Sequence, residues 1–176
     1  MIFVTVGTQG PFDRLVDVVD DWARRTARSD VFAQVGPTKN PPHHIRWVRS
    51  LPAAEFTENV ERAQVVVSHA GMGTIITALE FGTPLIVMPR RAALQEQRND
   101  HQVATARRFN ELGRIGVAFD DHELAEHLKA IDKLGPTARQ AVSSARQTLI
   151  ETLCRFAGTG SPDGLQPEDE PRGGER

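Results

Sequence analysis

The stretch Ser68-His69-Ala70-Gly71-Met72-Gly73-Thr74 decides the fold of this chain because of what flanks it. Val65–Val67, directly before it, is a short and wholly apolar run typical of a buried strand. Thr74–Phe81, directly after it, has the length and composition of a helix that ends at Gly82. A loop that joins a buried strand to a helix is the repeating connection of α/β proteins, so the stretch predicts that class.

The same alternation of strand and helix extends outward through residues 1–156. Strands are predicted at Ile2–Val6, Val31–Val35, His44–Val48, Val65–Val67, Leu85–Met88 and Val117–Phe119. Helices are predicted from Pro11 onward and near Pro52–Arg62, Thr74–Phe81, Arg98–Leu112, His122–Ile131 and Pro136–Phe156. The first helix has an apolar face of Phe12, Leu15, Val16, Val19, Trp22 and Ala23. We therefore predict a Rossmann-like, doubly wound parallel sheet of about six strands with helices on both faces.

Composition narrows the class of protein. The chain has 176 residues, of which 39% are hydrophobic and 25% charged, as is usual for a soluble single domain. A formal charge of −2 gives no basic surplus for nucleic acid. The single cysteine, Cys154, excludes an internal disulfide and a cysteine-rich zinc site. No basic residue precedes the opening apolar run MIFV, and no stretch approaches roughly 18 apolar residues, so we expect a cytoplasmic protein.

The last twenty residues differ in composition from the rest of the chain. Ala157–Arg176 contains five glycines, three prolines and seven charged residues, with Leu165 as its one large aliphatic residue. Such a segment cannot bury enough apolar area to offset about 1–2 kcal/mol of ordering entropy per residue. We predict a folded domain over residues 1–156 and a flexible tail over residues 157–176.

Ligands of doubly wound sheets bind at the carboxyl ends of the strands, so the loops there are the candidate site. In the loop after Val67, Gly71 and Gly73 permit close approach of the backbone to a ligand, and the following helix start offers free N–H groups. Thr74 could cap that helix or donate its hydroxyl, and His69 could donate to a phosphate oxygen. The loop suits a diphosphate. A tight turn packed by glycines is the alternative interpretation.

The loop Gly7-Thr8-Gln9-Gly10 also joins a strand to a helix start. Its GxxG spacing differs from the GxGxxG of dinucleotide sites, and Gly36-Pro37 rather than an acidic residue follows the second strand. An NAD site is therefore disfavoured, and the chain has no P-loop motif. A plain turn is the alternative for this loop.

Polar residues on two later segments could bind hydroxyl groups. Glu80, on the helix that opens at the glycine loop, could accept from the two vicinal hydroxyls of a ribose, or could be a solvated helix residue. Side chains from Gln95 to Gln102 could bind a sugar. The alternative role there is helix capping by Asn99 or Asp100.

Metal and nucleophilic chemistry find no support in the sequence. The histidines His43, His44, His69 and His101 lack the spacing of metal ligands, and no Asp-x-Asp pair is present to hold a divalent cation. No GxSxG motif occurs. We expect neither a metal nor another cofactor.

The series SHAGMGTIITALEFGTPLIVMP, followed later by NDHQVATA, resembles the C-terminal, donor-binding domain of GT-B glycosyltransferases of the family 28 type. The opening MIFVTVGTQGPFDRLV is similar to the small catalytic subunits of split glycosyltransferases. These include bacterial exopolysaccharide or capsule subunits and the eukaryotic subunit that adds the second N-acetylglucosamine to a dolichol-linked sugar. The resemblance covers about Met1 to His127 and implies one half of a GT-B fold.

The resemblance also implies which residues bind the UDP-sugar donor. Glu80 would bind the ribose, His101 and Gln102 would lie near the sugar, and Val48 and Arg49 near the uracil. The charged segment between Pro89 and Asp100 departs from the family pattern, and an arginine there (Arg90, Arg91 or Arg98) could favour an acidic sugar such as glucuronate. The diphosphate would be held by His69, Ala70, Gly71, Gly73 and Thr74, with Gly7 and Thr8 facing it.

A complete GT-B enzyme needs two domains, and this chain holds one of them. Family members of this length pair with a membrane-anchored chain that supplies the acceptor half and the general base, and that recruits a lipid-linked acceptor. The resemblance therefore implies an inverting UDP-sugar transferase of polysaccharide or glycan biosynthesis, peripheral to the inner face of the membrane through its partner. An apolar stripe in the last predicted helix is a candidate docking element, with packing on the domain's own core as the alternative: Val142, Ala145, Leu149, Leu153 and Phe156.

Three other functions remain open on sequence alone. A non-catalytic subunit that binds a nucleotide sugar would bind UDP without supporting turnover. A fragment of a sugar-nucleotide epimerase would share the fold. A nucleotide-cofactor oxidoreductase would bind NAD, against which the first loop argues.

Overall fold

The computed structural model describes residues 1–113 and 115–131. Within them a six-stranded sheet has the order β3-β2-β1-β4-β5-β6, and all its pairs are parallel. This confirms the predicted fold class. The strands are β1 (Ile2–Thr5), β2 (Val31–Gln34), β3 (Arg46–Val48), β4 (Val65–His69), β5 (Leu85–Met88) and β6 (Gly116–Val117).

Helices cover both faces of the sheet. One face packs against α1 and α5, which contact each other, and the other packs against α2, α3 and α4. The helices are α1 (Asp13–Thr26), α2 (Ala53–Arg62), α3 (Met72–Phe81), α4 (His101–Leu112) and α5 (Asp121–Ala130), with a 3₁₀ turn at Ala92–Leu94. None of the helices in these residues is long and apolar enough to cross a membrane.

Each central strand is buried on both faces, and its side chains alternate between two cores. In β1, Ile2 and Val4 enter the core beneath α1 and α5, whereas Phe3 enters the opposite core. The residues predicted for the apolar face of the first helix are all buried: Phe12, Leu15, Val16, Val19, Trp22 and Ala23.

Several boundaries differ from the prediction by one to three residues, among them the starts of β3 and α4. The third strand begins at Arg46 instead of His44, because the backbone N–H groups of His43, His44 and Ile45 donate to the buried Asp20 carboxylate at 2.8–3.1 Å. The fourth helix begins at His101 instead of Arg98, because residues 96–100 form bends and Asp100 occupies the N-cap position. The predicted helix Pro136–Phe156, the tail 157–176, Cys154 and the apolar stripe lie outside the described residues.

The sheet order positions the site. β1 and β4 are the two central strands. The chain continues from β1 to β2, toward one edge of the sheet, and from β4 to β5, toward the other edge. The loops after these neighbouring strands therefore diverge at their carboxyl ends and leave a crevice between them, which is where ligands of this architecture bind.

Candidate functional site

A cavity of about 620 Å³ lies in this crevice. Its wall comes from the loop after β1, the start of α2 with the residues before it, the loop between β4 and α3, and the start of α4. The volume is within the usual range for a small-molecule site. Nine of the predicted donor-binding residues lie in the wall: Gly7, Thr8, His69, Ala70, Gly71, Gly73, Thr74, His101 and Gln102.

The start of α3 supplies unpaired N–H donors. Gly71 occupies the N-cap position in an extended conformation, and no side chain caps the helix. The N–H groups of the first helical turn, at Met72, Gly73 and Thr74, therefore lack helical partners, and the helix dipole adds partial positive charge. The predicted helix cap at Thr74 is wrong, because α3 begins two residues earlier, at Met72. Thr74 is instead a buried residue that lines the cavity.

His69 lies between two glycines that leave room for its ring. A β-carbon at Gly7 would lie 2.6 Å from Cε1 of His69, and one at Gly71 would lie 2.2 Å from Nε2. Gly7 also has φ of 73°, which glycine adopts without strain. The two glycines thus belong to one arrangement, in which loops from β1 and β4 enclose an imidazole.

The imidazole of His69 is uncharged at neutral pH. Burial, helped by the nearby charge of Arg90, lowers the pKa of His69 from 6.5 to about 4, while a hydrogen bond with the Thr5 backbone acts in the opposite direction. Nδ1 is buried and has no hydrogen-bond partner. A neutral imidazole carries one N–H, so His69, which lines the cavity, would act on a ligand through a hydrogen bond without carrying a positive charge.

Gln34 is a member of the site that the sequence analysis missed. This buried side chain at the end of β2 accepts from Thr5 Oγ1 at 2.7 Å and donates to the carbonyl oxygens of Gly7 at 3.1 Å and Arg49 at 3.0 Å. It therefore ties the loop after β1 to the loop after β3. The only sequence signal was a polar residue at the end of an otherwise apolar strand.

An apolar wall closes the side of the cavity next to α2. It contains Leu51, Phe56 and Met72, of which Met72 is 38% exposed. The loop predicted to hold a base contributes to this wall through Ser50 and Leu51, and Val48 and Arg49 do not line the cavity. Arg49 Nη1 instead donates to the Thr38 carbonyl oxygen at 3.0 Å.

Glu80 is exposed and lies outside the cavity wall. Gly73, Thr77 and Glu80 follow one another along one face of α3 at the spacing i, i+4 and i+7, and the first two line the cavity. The carboxylate thus belongs to the turn of α3 directly beyond the cavity, about 10 Å along the helix axis from Gly73.

The opposite end of the cavity is formed by the start of α4. Gln102 is buried, and its Oε1 accepts from the backbone N–H of Arg90 at 3.1 Å, which leaves its amino group to donate elsewhere. His101 is exposed, and its ring contacts Oδ1 of Asn99. Asp100 occupies the N-cap position, but its carboxylate accepts from Ala92 N at 2.9 Å instead of from the helix.

Neither Arg90 nor Arg91 lines the cavity. Arg90 is only 1% exposed, and its guanidinium donates to backbone carbonyl oxygens. Arg91 donates to the carbonyl oxygen of Phe119. Both guanidinium groups donate to backbone carbonyl oxygens, so in this arrangement neither arginine is available to bind an acidic sugar in the cavity.

The cavity wall, as far as the described residues form it, contains no Asp, Glu, Lys or Arg. The same part of the chain holds no group of three His, Cys, Asp or Glu side chains placed to bind a metal. The wall therefore offers backbone N–H groups, hydroxyls, amides, two imidazoles and apolar surface, which suit an organic anion with an apolar end.

A Rossmann-like ligand-binding domain is defined by three features: the reversal of strand order at β1 and β4, the uncapped start of α3, and the cavity between the loops that follow β1 and β4. The chain belongs to the glycosyltransferase family 28 C-terminal domain family, whose pattern it matches over residues 1–152. This confirms the resemblance drawn from the glycine loop and the residues after it.

Relatives and solved structures agree with this assignment. The UDP-N-acetylglucosamine transferase subunit ALG13 of Yarrowia lipolytica is 27% identical over 165 residues, which cover 87% of this chain and 76% of the relative. The NDP-glycosyltransferase YjiC of Bacillus subtilis is 30% identical over 133 residues, which cover 72% of this chain but 29% of the relative. The crystal structure of the glycotransferase of kitacinnamycin shares the fold with a TM-score of 0.60 at 21% identity, over 82% of this chain and 38% of that one.

Proposed function

We propose that this chain is the donor-binding subunit of an inverting glycosyltransferase that uses a UDP-sugar. The observation that carries the proposal is the cavity at the uncapped start of α3, between the glycines of two loops. Its polar centre suits a diphosphate, and its apolar wall at Leu51 and Phe56 suits a base. The name of the relative ALG13, a UDP-N-acetylglucosamine transferase subunit, supports uridine as the base.

The donor would lie across the sheet in a defined direction. The uracil would pack on the α2 side, the diphosphate would bind at Gly71–Thr74 and Gly7–Thr8, and the sugar would lie near His101 and Gln102. Glu80, one turn beyond Thr77, would reach the ribose hydroxyls at the cavity edge. The segments lining the wall follow this order from β3 through β1 and β4 to the start of α4.

The chemistry of this half is stabilisation of the leaving diphosphate. As the glycosidic bond to the donor breaks, negative charge grows on the β-phosphate, where N–H groups of α3 and His69 would donate hydrogen bonds. In this proposal the fixed dipoles of the N–H groups stabilise the leaving diphosphate without a metal, because the cavity wall has no carboxylate to hold one. For the same reason the general base that deprotonates the acceptor hydroxyl would come from a partner chain.

The partner would supply the acceptor half. The chain spans 76% of the relative ALG13 and 29% of the relative YjiC, and the first of these is named as a transferase subunit, which supports a partner chain. We propose a membrane-anchored partner that brings a lipid-linked acceptor, as in the biosynthesis of exopolysaccharide or another glycan, and that holds this chain at the inner face of the membrane.

Calorimetric titration with UDP, and with ADP and NAD as controls, tests the donor site. We expect binding of UDP alone, whereas binding of NAD without UDP would overturn the proposal. Turnover is tested by mixing the chain with its co-expressed partner and a UDP-sugar. If a chain with His69→Ala supports the same turnover as the unaltered chain, the subunit binds nucleotide sugar without taking part in catalysis.

A further inference from the structure

One buried arginine holds three carbonyl groups of the loop after β1. Nη2 of Arg90 donates to the carbonyl oxygens of Val6 at 2.9 Å and Gly10 at 2.8 Å, and Nη1 donates to that of Pro11 at 2.5 Å. Nη1 also reaches the carbonyl oxygen of Glu96 at 3.3 Å. The guanidinium thus connects the segment after β5 to a loop about eighty positions earlier in the chain.

Gln34 holds the same loop from the other side, through the carbonyl oxygen of Gly7. Two buried side chains therefore fix four carbonyl groups, two on each side of Thr8 and Gln9: those of Val6, Gly7, Gly10 and Pro11. In a trans peptide the N–H points away from its carbonyl, so capture of the Gly7 carbonyl also fixes the N–H of Thr8, which lines the cavity. Loop shape here depends on side chains outside the loop.

Arg90 also brings positive charge to a cavity whose wall has none. The charge is close enough to contribute to the lowered pKa of His69. Burial lowers the pKa of Arg90, and the carboxylates of Glu96 and Asp13 oppose that shift, although each has another hydrogen-bond partner. Phe12 packs beneath the guanidinium, 4.8 Å from ring centroid to Cζ. A guanidinium stays protonated even when buried, so its charge is permanent.

We propose that Arg90 is a positioning residue for the diphosphate of the donor: it holds the Val6–Pro11 loop in the shape that binds the anion and places a fixed positive charge behind that loop. The inference rests on the proposed function. Lysine cannot fully replace Arg90, because one ammonium group cannot reach the three carbonyl oxygens that the planar guanidinium reaches.

The test compares Arg90→Met and Arg90→Lys with the unaltered chain, and uses Arg62→Met, on the exposed end of α2, as the matched control. Binding of UDP and of uridine is measured by calorimetry, beside the melting temperature. We expect Arg90→Met to bind UDP at least tenfold more weakly and uridine within twofold of the unaltered chain. Arg90→Lys should recover the melting temperature but only part of the UDP affinity, and the control should bind like the unaltered chain.

A purely structural role predicts a different result, namely a lower melting temperature with UDP and uridine affected alike. That result, or UDP binding by folded Arg90→Met equal to that of the unaltered chain, overturns the proposal. If Arg90→Met does not fold, the same comparison of UDP binding, uridine binding and melting temperature is made with Arg90→Lys, and the same results overturn the proposal.

Amide hydrogen exchange separates this inference from the proposed function. We expect faster exchange at Gly7–Gly10 in Arg90→Met while the amides of β4 keep their protection. If the unaltered chain does not bind UDP, the proposed donor fails, but unchanged exchange in the loop would still overturn the positioning role of Arg90.

Discussion

The ring of His69 fills the space that a side chain at Gly71 would need, since a β-carbon there would lie 2.2 Å from Nε2. We expect Gly71→Ala to displace the imidazole, lower the melting temperature and weaken UDP binding at least tenfold. Gly73→Ala is the matched comparison for stability, because a β-carbon there meets no atom within 4 Å and alanine stabilises a helix relative to glycine, by at most about 1 kcal/mol in this first turn. Its melting temperature should rise.

The double variant His69→Ala/Gly71→Ala identifies the cause of the effect. If the clash with the ring is responsible, the alanine at position 71 should cost little stability once the ring is gone, and the two substitutions should not be additive. Additive losses in urea denaturation would show that Gly71 acts through its backbone instead.

Acid should destabilise the protein through His69. Its pKa in the folded chain is about 4 against 6.5 ordinarily, so between these values the unfolded chain binds a proton that the folded chain excludes. The free energy of unfolding should therefore fall as the pH is lowered from 6.5 to 4, by about 3 kcal/mol in all. Urea denaturation at stepped pH checks this against His69→Gln, which should lack that part of the slope. Parallel curves for the two proteins would contradict the prediction.

Glu80→Ala should weaken UDP binding without altering the melting temperature, because the side chain is exposed and its proposed partners are the ribose hydroxyls. The loss should be about tenfold, as expected for a charge-assisted hydrogen bond. Titration with UDP and 2′-deoxy-UDP is the sharper measurement, since the variant should discriminate less between them. Glu61→Ala, exposed on α2, is the control. Equal affinities for UDP would remove Glu80 from the site.

Asp20→Ala should lower the free energy of unfolding by about 3 kcal/mol or more, because three backbone N–H groups lose a charged acceptor. The neighbouring Asp21 pairs with Arg24 and Arg25 on the surface, and Asp21→Ala should cost less than about 1 kcal/mol. Urea denaturation measures both. Similar losses would show that the Asp20 carboxylate contributes no more than a surface ion pair.

Deletion of Gly158–Arg176 should leave the melting temperature nearly unchanged, on the composition of that segment alone. Thermal denaturation of the shortened chain is the measurement. A clear decrease would mean that the segment packs on the domain.

Most of the sheet could be predicted because its signals are local. Strands β1, β4 and β5 are short, largely apolar runs ended by proline or a polar residue, and the glycine loop after β4 marks the ligand end without reference to distant residues. The helix face from Phe12 to Ala23 follows from spacing alone.

The side chains that shape the site could not be predicted because their partners are distant in sequence. Gln34 reaches Thr5 only since the two residues are opposite each other in the register of β1 and β2. Arg90 lies in a charged segment that suggests an exposed loop, yet it is buried beneath carbonyl groups from the other side of the crevice. Strand order, which single residues do not encode, brings both together.

The central position of β1 sets when the protein can acquire its site during synthesis. Ile2 is opposite Val31 on one side and Val65 on the other, so the strand leaves the ribosome long before its second neighbour exists. The loop Gly7–Gly10 therefore lacks its contacts with His69 and Arg90 until both residues have been translated. Nucleotide binding should be among the last properties that the growing polypeptide gains, and a stalled chain that ends before β5 should lack it.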